Sequence, residues 1–174
     1  MACDLTAGRK DECLDNVGGI KAIYFGNYSG TLFADATITD EVITALASAE
    51  TVYKYELKGV NGYDEENVKG NSTSSYNQTG TLFLKKQNAT SQKELKLLSY
   101  GRPFAIVETN NGLFRIAGVE NGLSVTVNNS TGTSLEEDSG YSITFSGSER
   151  YPAPYVDASL MGSVGGFTVV EGTN

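Results

Sequence analysis

Histidine and tryptophan are both absent from the 174 residues, and only three prolines and two cysteines occur. Without histidine, the commonest general base and metal ligand, a Ser-His-Asp triad, a Cys-His pair and a histidine-based zinc site are all excluded. The lack of tryptophan weakens any case for a sugar-stacking groove. No stretch of about eighteen apolar residues is present, so no helical membrane span is expected. The start, Met1-Ala-Cys-Asp-Leu-Thr-Ala-Gly-Arg-Lys10, carries no apolar h-region and does not read as a signal peptide, which places synthesis in a cytoplasm. The thiols of Cys3 and Cys13 are too few for structural zinc. A disulfide clasp between them stays open as an alternative, but a reduced, partly buried pair is the expectation without an export signal. Six Asn-x-Ser/Thr sequons, at Asn27, Asn71, Asn77, Asn88, Asn128 and Asn129, then reflect a composition rich in those residues.

What is present describes one globular β-rich domain. Hydrophobic residues make up 39%, with seven Phe and ten Tyr, enough for a core that needs no staples. Twenty Gly, with abundant Ser, Thr and Asn, suggest many turns joining short strands. The formal charge is −8, so a surface that grips phosphate backbones is not expected.

Residues 1 to 18 are polar and read as an N-terminal arm. Residues 20 to 25, Ile-Lys-Ala-Ile-Tyr-Phe, are apolar on both faces and predict a central strand. Thr39 reads as the cap of a short helix over residues 40 to 49, with Asp40 and Glu41 at its N-terminus and Val42, Ile43, Leu46 and Ala49 as its apolar stripe. Alternation in residues 51 to 58 predicts a half-buried strand. Residues 59 to 78 are polar and too long for an ordinary hairpin turn, so they predict a projecting loop. A strand over residues 79 to 86 precedes a second helix from Asn88 or Thr90 to about Ser99, stopped by Gly101 and Pro103. Turns at Asn110-Asn-Gly112 and Asn121-Gly122 join further strands, and Tyr141, Ile143 and Phe145 alternate with Ser142, Thr144 and Ser146 in the clearest strand of all. Residues 158 to 174 read as a C-terminal arm with one short strand over residues 167 to 170. The fold class expected is therefore mostly β: a sandwich or partly open barrel over residues 19 to 157, with one or two short flanking helices. Such a sandwich has open edges, and its strands present Ser and Thr outward with few charges to protect them.

Candidate chemistry is sparse. Asp64, Glu65 and Glu66 lack the spacing of a calcium loop and read as solvated, as do Glu136, Glu137 and Asp138. A carboxylate pair for glycoside cleavage remains a minor alternative. The glycine-rich residues 162 to 166 lack the lysine and helix start of a phosphate loop. Lys85, Lys86, Lys93 and Lys96 form a small basic cluster that reads as a solvated face. No catalytic, cofactor or metal site is expected.

Four stretches, read in order, resemble the tail tube subunits of long-tailed bacteriophages. They are Thr6-Ala-Gly-Arg9 with Cys13 and Gly18-Gly-Ile-Lys-Ala-Ile-Tyr-Phe25; Lys93-Glu-Leu-Lys-Leu-Leu-Ser-Tyr-Gly-Arg-Pro103 with Phe104-Ala-Ile-Val-Glu108; Asn111-Gly-Leu-Phe-Arg-Ile-Ala-Gly118; and Ser139-Gly-Tyr-Ser-Ile-Thr-Phe-Ser-Gly147. The resemblance implies a β-sandwich with a flanking helix, shared with the tube protein of type VI secretion. It implies homo-hexameric rings whose inner sheets join edge to edge, stacked into a tube with an acidic lumen through which DNA passes without specific binding. Its partners would be further copies of itself, tape-measure and completion proteins, and a sheath if the tail contracts. Residues 59 to 78, with Asp64, Glu65 and Glu66, would be the loop reaching the next ring, as would both arms. The place would be the virion tail, assembled in the host cytoplasm. Alternatives are another virion component, such as a tail completion or capsid-decorating protein, and a carbohydrate-binding sandwich.

Overall fold

A computed structural model describes residues 5, 7–11 and 13–172. Twelve strands and one α-helix follow in the order β1 (Ile20–Asn27), β2 (Thr37–Thr39), β3 (Val42–Ala45), β4 (Glu50–Glu56), β5 (Gly62–Lys69), β6 (Ser74–Lys85), α1 (Ala89–Tyr100), β7 (Pro103–Thr109), β8 (Phe114–Ala117), β9 (Ser124–Ser130), β10 (Gly140–Glu149), β11 (Tyr155–Val156) and β12 (Phe167–Val170). They form an eight-stranded sheet, in the order β12-β4-β1-β7-β8-β11-β3-β2, and a four-stranded sheet, β5-β6-β10-β9. The expected class, a mostly β sandwich or partly open barrel with a flanking helix, is what the chain adopts.

β1 lies between β4 and β7, and its side chains feed two cores. Ile23 and Phe25 enter the core shared with the smaller sheet, alongside Leu82, Ile143 and Phe145, while Ala22 and Tyr24 enter a second core on the far side. That second core is enclosed by the larger sheet curling round Phe104, Ile106, Ile116 and Phe167, with Leu32 and Phe33 as a lid. A strand buried on both faces has no polar side to show, which is why residues 22 to 25 read as continuously apolar, with only Lys21 exposed at its start.

Two close approaches fix the register. Gly26 faces Phe104 across β1 and β7, and Gly80 faces Phe145 across β6 and β10. A Cβ on either glycine would stand 2.2 Å from the phenyl Cζ, so each ring lies flat over bare backbone.

The α1 helix begins where expected. Asn88 is its N-cap, accepting from the Ser91 amide at 2.6 Å, and the Gly101 amide closes the last turn on the Leu97 carbonyl at 2.9 Å. Leu95 is its buried anchor.

Four expectations need correction. The helix over residues 40 to 49 is instead the β2–β3 hairpin, with Asp40 and Glu41 in its tight turn at φ 51° and 63°. The β-branched run Thr37, Ile38, Thr39, Val42, Ile43 and Thr44 favours strands, and β3 gains a parallel partner in β11. Residues 59 to 78 are not a projecting loop: β5 pairs in register with β6 from Gly62 opposite Thr81 to Lys69 opposite Ser74. The strand is hard to recognise because its inward residues include Glu65, held by partners distant in sequence. Residues 167 to 170 form the expected short strand, but it belongs to the large sheet and not to an arm: β12 runs parallel to β4, and Phe167 is fully buried. Cys13 is exposed rather than partly buried, because the described residues before Gly19 form no strand or helix that would cover it, while Cys3 lies outside the described residues.

Candidate assembly surface

The register of the smaller sheet decides what its outer face carries. Side chains alternate, so the strands that send Leu82, Val125, Ile143 and Phe145 inward must send their neighbours outward. One transverse rank runs Thr81, Thr144, Thr126 across β6, β10 and β9, with Gly62 of β5 at its end. The adjacent rank runs Asp64, Thr79, Ser146, Ser124. A third places Glu66 opposite Asn77 and Asn77 opposite Ser148, whose hydroxyl donates to Asn77 Oδ1 at 2.7 Å. All six hydroxyl side chains of the first two ranks are exposed. Strands sit about 4.8 Å apart, so these hydroxyls form a close lattice with no charge at its centre. Carboxylates stand only on the β5 side, at Asp64 and Glu66, and Lys85 stands at one strand end.

The borders of this sheet are β5 and β9, each hydrogen-bonded to a neighbour on one side only. β9 (Ser-Val-Thr-Val-Asn-Asn-Ser) has neither charge nor proline, the devices that usually keep an edge from recruiting another strand. The helix α1 runs beside it, and Gln87 Nε2 donates to the Ser130 carbonyl at 2.7 Å.

The acidic trio is divided by the pleat. Asp64 and Glu66 point outward and are exposed, whereas Glu65 turns inward and ties the two sheets together. Its Oε1 lies 3.2 Å from Arg115 Nη2, and its Oε2 accepts from the Ala153 amide at 2.8 Å, the Tyr63 hydroxyl at 3.1 Å and Gln78 Nε2 at 3.3 Å. Gln78 Oε1 in turn accepts from the Gly118 amide at 2.9 Å. The Arg115 guanidinium stands 5.1 Å from the Tyr155 ring centroid and 5.8 Å from that of Tyr63. Burial, reinforced by the Glu65 charge, pushes the Tyr63 phenol well above its ordinary range. Beside this cluster opens a cleft of about 390 Å³ lined by Val17, Asn61, Tyr63, Asp64, Asn111 and Arg115.

Sequence reasoning passed over two further buried carboxylates. Glu108 takes Lys21 Nζ at 2.8 Å and the Tyr24 hydroxyl at 2.6 Å. Burial alone would raise its carboxyl, but those two hydrogen bonds more than offset it and the group titrates below its usual range. Glu149 accepts the Glu120 and Asn121 amides at 2.9 and 3.0 Å, and here burial wins and raises the carboxyl. The available signal was a carboxylate ending an apolar strand, as in Phe-Ala-Ile-Val-Glu108. Glu137 is also a turn-former, accepting the Thr133 amide and hydroxyl at 2.6 and 3.0 Å.

No group of three or more acidic, cysteine or histidine side chains able to hold a metal ion occurs among the described residues, and none of their helices is long and apolar enough to cross a membrane. No protein-family model matches the chain, and neither a curated protein nor a solved structure matches it.

Proposed function

We propose that this chain is a non-enzymatic structural subunit of a virion, the tail tube protein of a long-tailed bacteriophage, polymerising as stacked hexameric rings. The observation that carries the reading is the smaller sheet: two one-sided border strands flank an outer face of exposed hydroxyls. Edges left to pair favour association, and identical copies are the nearest source of matching edges. Joined side by side around an axis, six such sheets make a closed barrel whose bore is the Thr81–Thr144–Thr126 lattice. Hydroxyls and a few carboxylates offer a polyanion hydration without a counter-charge, so duplex DNA passes and does not bind. The net charge of −8 works in the same direction. Tape-measure, completion and, in a contractile tail, sheath proteins are the further partners this reading entails, and the assembled place is the virion tail.

Negative-stain electron microscopy of concentrated protein tests it. Tubes or rings of uniform width are expected. A species that stays monomeric in sedimentation at the highest attainable concentration overturns the reading.

A further inference from the structure

Among the buried side-chain nitrogen and oxygen atoms of the described residues, two lack a hydrogen-bond partner: Asn61 Nδ2 and Arg115 Nε. Both residues line the cleft of about 390 Å³ that opens where β1 and β5 begin and β7 ends. Asn61 retains only 8% of its exposure. Its Oδ1 accepts the Phe83 amide at 2.8 Å, which fixes the side chain and leaves the nitrogen as a spare donor. Arg115 commits Nη2 to Glu65 at 3.2 Å and to the Ala153 carbonyl at 3.3 Å, and its Nε is spare as well. Buried donors without acceptors forfeit their hydration and are rare in native interiors, so this pair calls for oxygens from outside. The facing wall, residues 16 to 19, forms no strand or helix. It is tied to a turn: the Val17 amide donates to Asn111 Oδ1 at 3.0 Å, and Asn110 Nδ2 donates to the Gly18 carbonyl at 2.7 Å. Both spare nitrogens are closed to solvent, so a ligand reaches them by displacing a wall, and this irregular one is the least braced.

Charge narrows the ligand. Arg115 is matched by Glu65, and Asp64 stands exposed on the cleft lining, so these three groups together carry one net negative charge. The Tyr63 phenol between them registers the same sign: after burial, the upward push of Glu65 exceeds the downward pull of Arg115. An anion would meet that negative field, and a cation would meet the guanidinium and two N–H groups. A neutral ligand fits, provided that its oxygens accept from Asn61 and Arg115 while an O–H donates to Asp64. A hydroxyl does both from one atom. We infer that the cleft binds one neutral sugar residue, gripped through its hydroxyl groups by Asn61, Arg115 and Asp64. Hydrogen bonding of this kind needs no tryptophan platform, and the volume lies within the range of about 300–1,000 Å³ usual for small-molecule sites. Binding alone is implied, with no bond made or broken. The site goes beyond the assembly reading above and does not depend on it.

Nuclear magnetic resonance of the dilute, unassembled, ¹⁵N-labelled full chain tests it, because the Asn61 side-chain amide and the Arg115 Nε–H each give their own signal. The probes are glucose, galactose and N-acetylglucosamine, with acetate and inorganic phosphate as anionic controls. At least one sugar is expected to shift both signals saturably, with a Kd of about 1 mM, and neither anion is expected to do so. Asn61→Asp keeps an acceptor for the Phe83 amide but loses the spare donor, and Arg115→Lys keeps the charge beside Glu65 but loses Nε. Each variant is expected to bind that sugar at least about tenfold more weakly, with urea midpoints confirming that it folds. Should a variant fail to fold, the two wild-type signals decide alone. The inference is overturned if no sugar saturates them, as when the donors hold ordered water only, or if acetate or phosphate saturates them instead. Folded variants that bind as tightly as wild type overturn it equally.

Discussion

Glu65 and Arg115 belong to different sheets and meet at 3.2 Å, so one ion pair couples the border strand β5 to the curled sheet behind it. Neither residue can relax to water at no cost: their side chains retain only 11% and 26% of their exposure. Removing one partner leaves the other charge half-buried, with the Ala153 amide, the Tyr63 hydroxyl and Gln78 still pointing at an altered group. Arg115→Met is expected to cost about 2–4 kcal/mol. The double variant Glu65→Leu with Arg115→Met is expected to cost less than the two single losses added together. Urea denaturation of the four proteins in a double-mutant cycle measures the coupling.

Stability as a function of pH should separate the other two buried carboxylates. Glu108 titrates lower in the folded chain than in the unfolded one, so its contribution is present above the unfolded value, about 4.3, and is lost as pH falls through the folded one. Glu149 is raised, so the folded chain holds its proton more tightly, and ionisation above the unfolded value works against folding. Glu108→Gln is expected to flatten the acid limb of a plot of urea midpoint against pH. Glu149→Gln is expected to remove an opposing slope and leave that limb steeper.

Close packing over glycine makes a sharp test of the core. Gly80→Ala would drive a methyl carbon to 2.2 Å from Phe145 Cζ, with the ring itself fully buried. An overpacking loss of about 2–3 kcal/mol is expected. Adding Phe145→Leu, which vacates that space, should recover part of the loss, and thermal unfolding of the single and double variants reports it.

The hydroxyl lattice carries its own prediction. Thr126→Lys and Thr144→Lys together touch only exposed positions, so the stability of the subunit should move by no more than about 0.5 kcal/mol. Tubes built from this variant are expected to retain duplex DNA in co-sedimentation, and to release it as salt rises. Wild-type tubes are expected to retain none.

Much of the larger architecture was legible in local pattern. The apolar block at residues 20 to 25, the Asn110-Asn-Gly112 turn and the Ser/Thr alternation after Tyr141 each encode their structure within a few residues. Residues 40 to 49 misled because Asp-Glu followed by Val-Ile fits either a helix start or a hairpin turn, and only β11, more than a hundred residues later, decides between them. β5 was missed because Glu65 occupies an inward position that usually calls for an apolar residue. Its partners Arg115 and Ala153 are remote in sequence, so no local window contains the reason. The candidate surface was half visible: outward Ser and Thr could be read strand by strand. Their alignment into ranks needed the pairing of β6, β10 and β9.

The parallel seating of β12 on β4 has a kinetic meaning as well. Phe167 pairs with Glu50, and Ile20 with Thr109, so the large sheet is stitched from segments that begin far apart. Loops of that length close slowly, and a topology so dominated by distant pairings belongs to the millisecond-to-second class of folders. If copies associate through these borders as proposed, the interior must be finished before a dependable border is offered, and folding sets the earliest moment at which growth can begin.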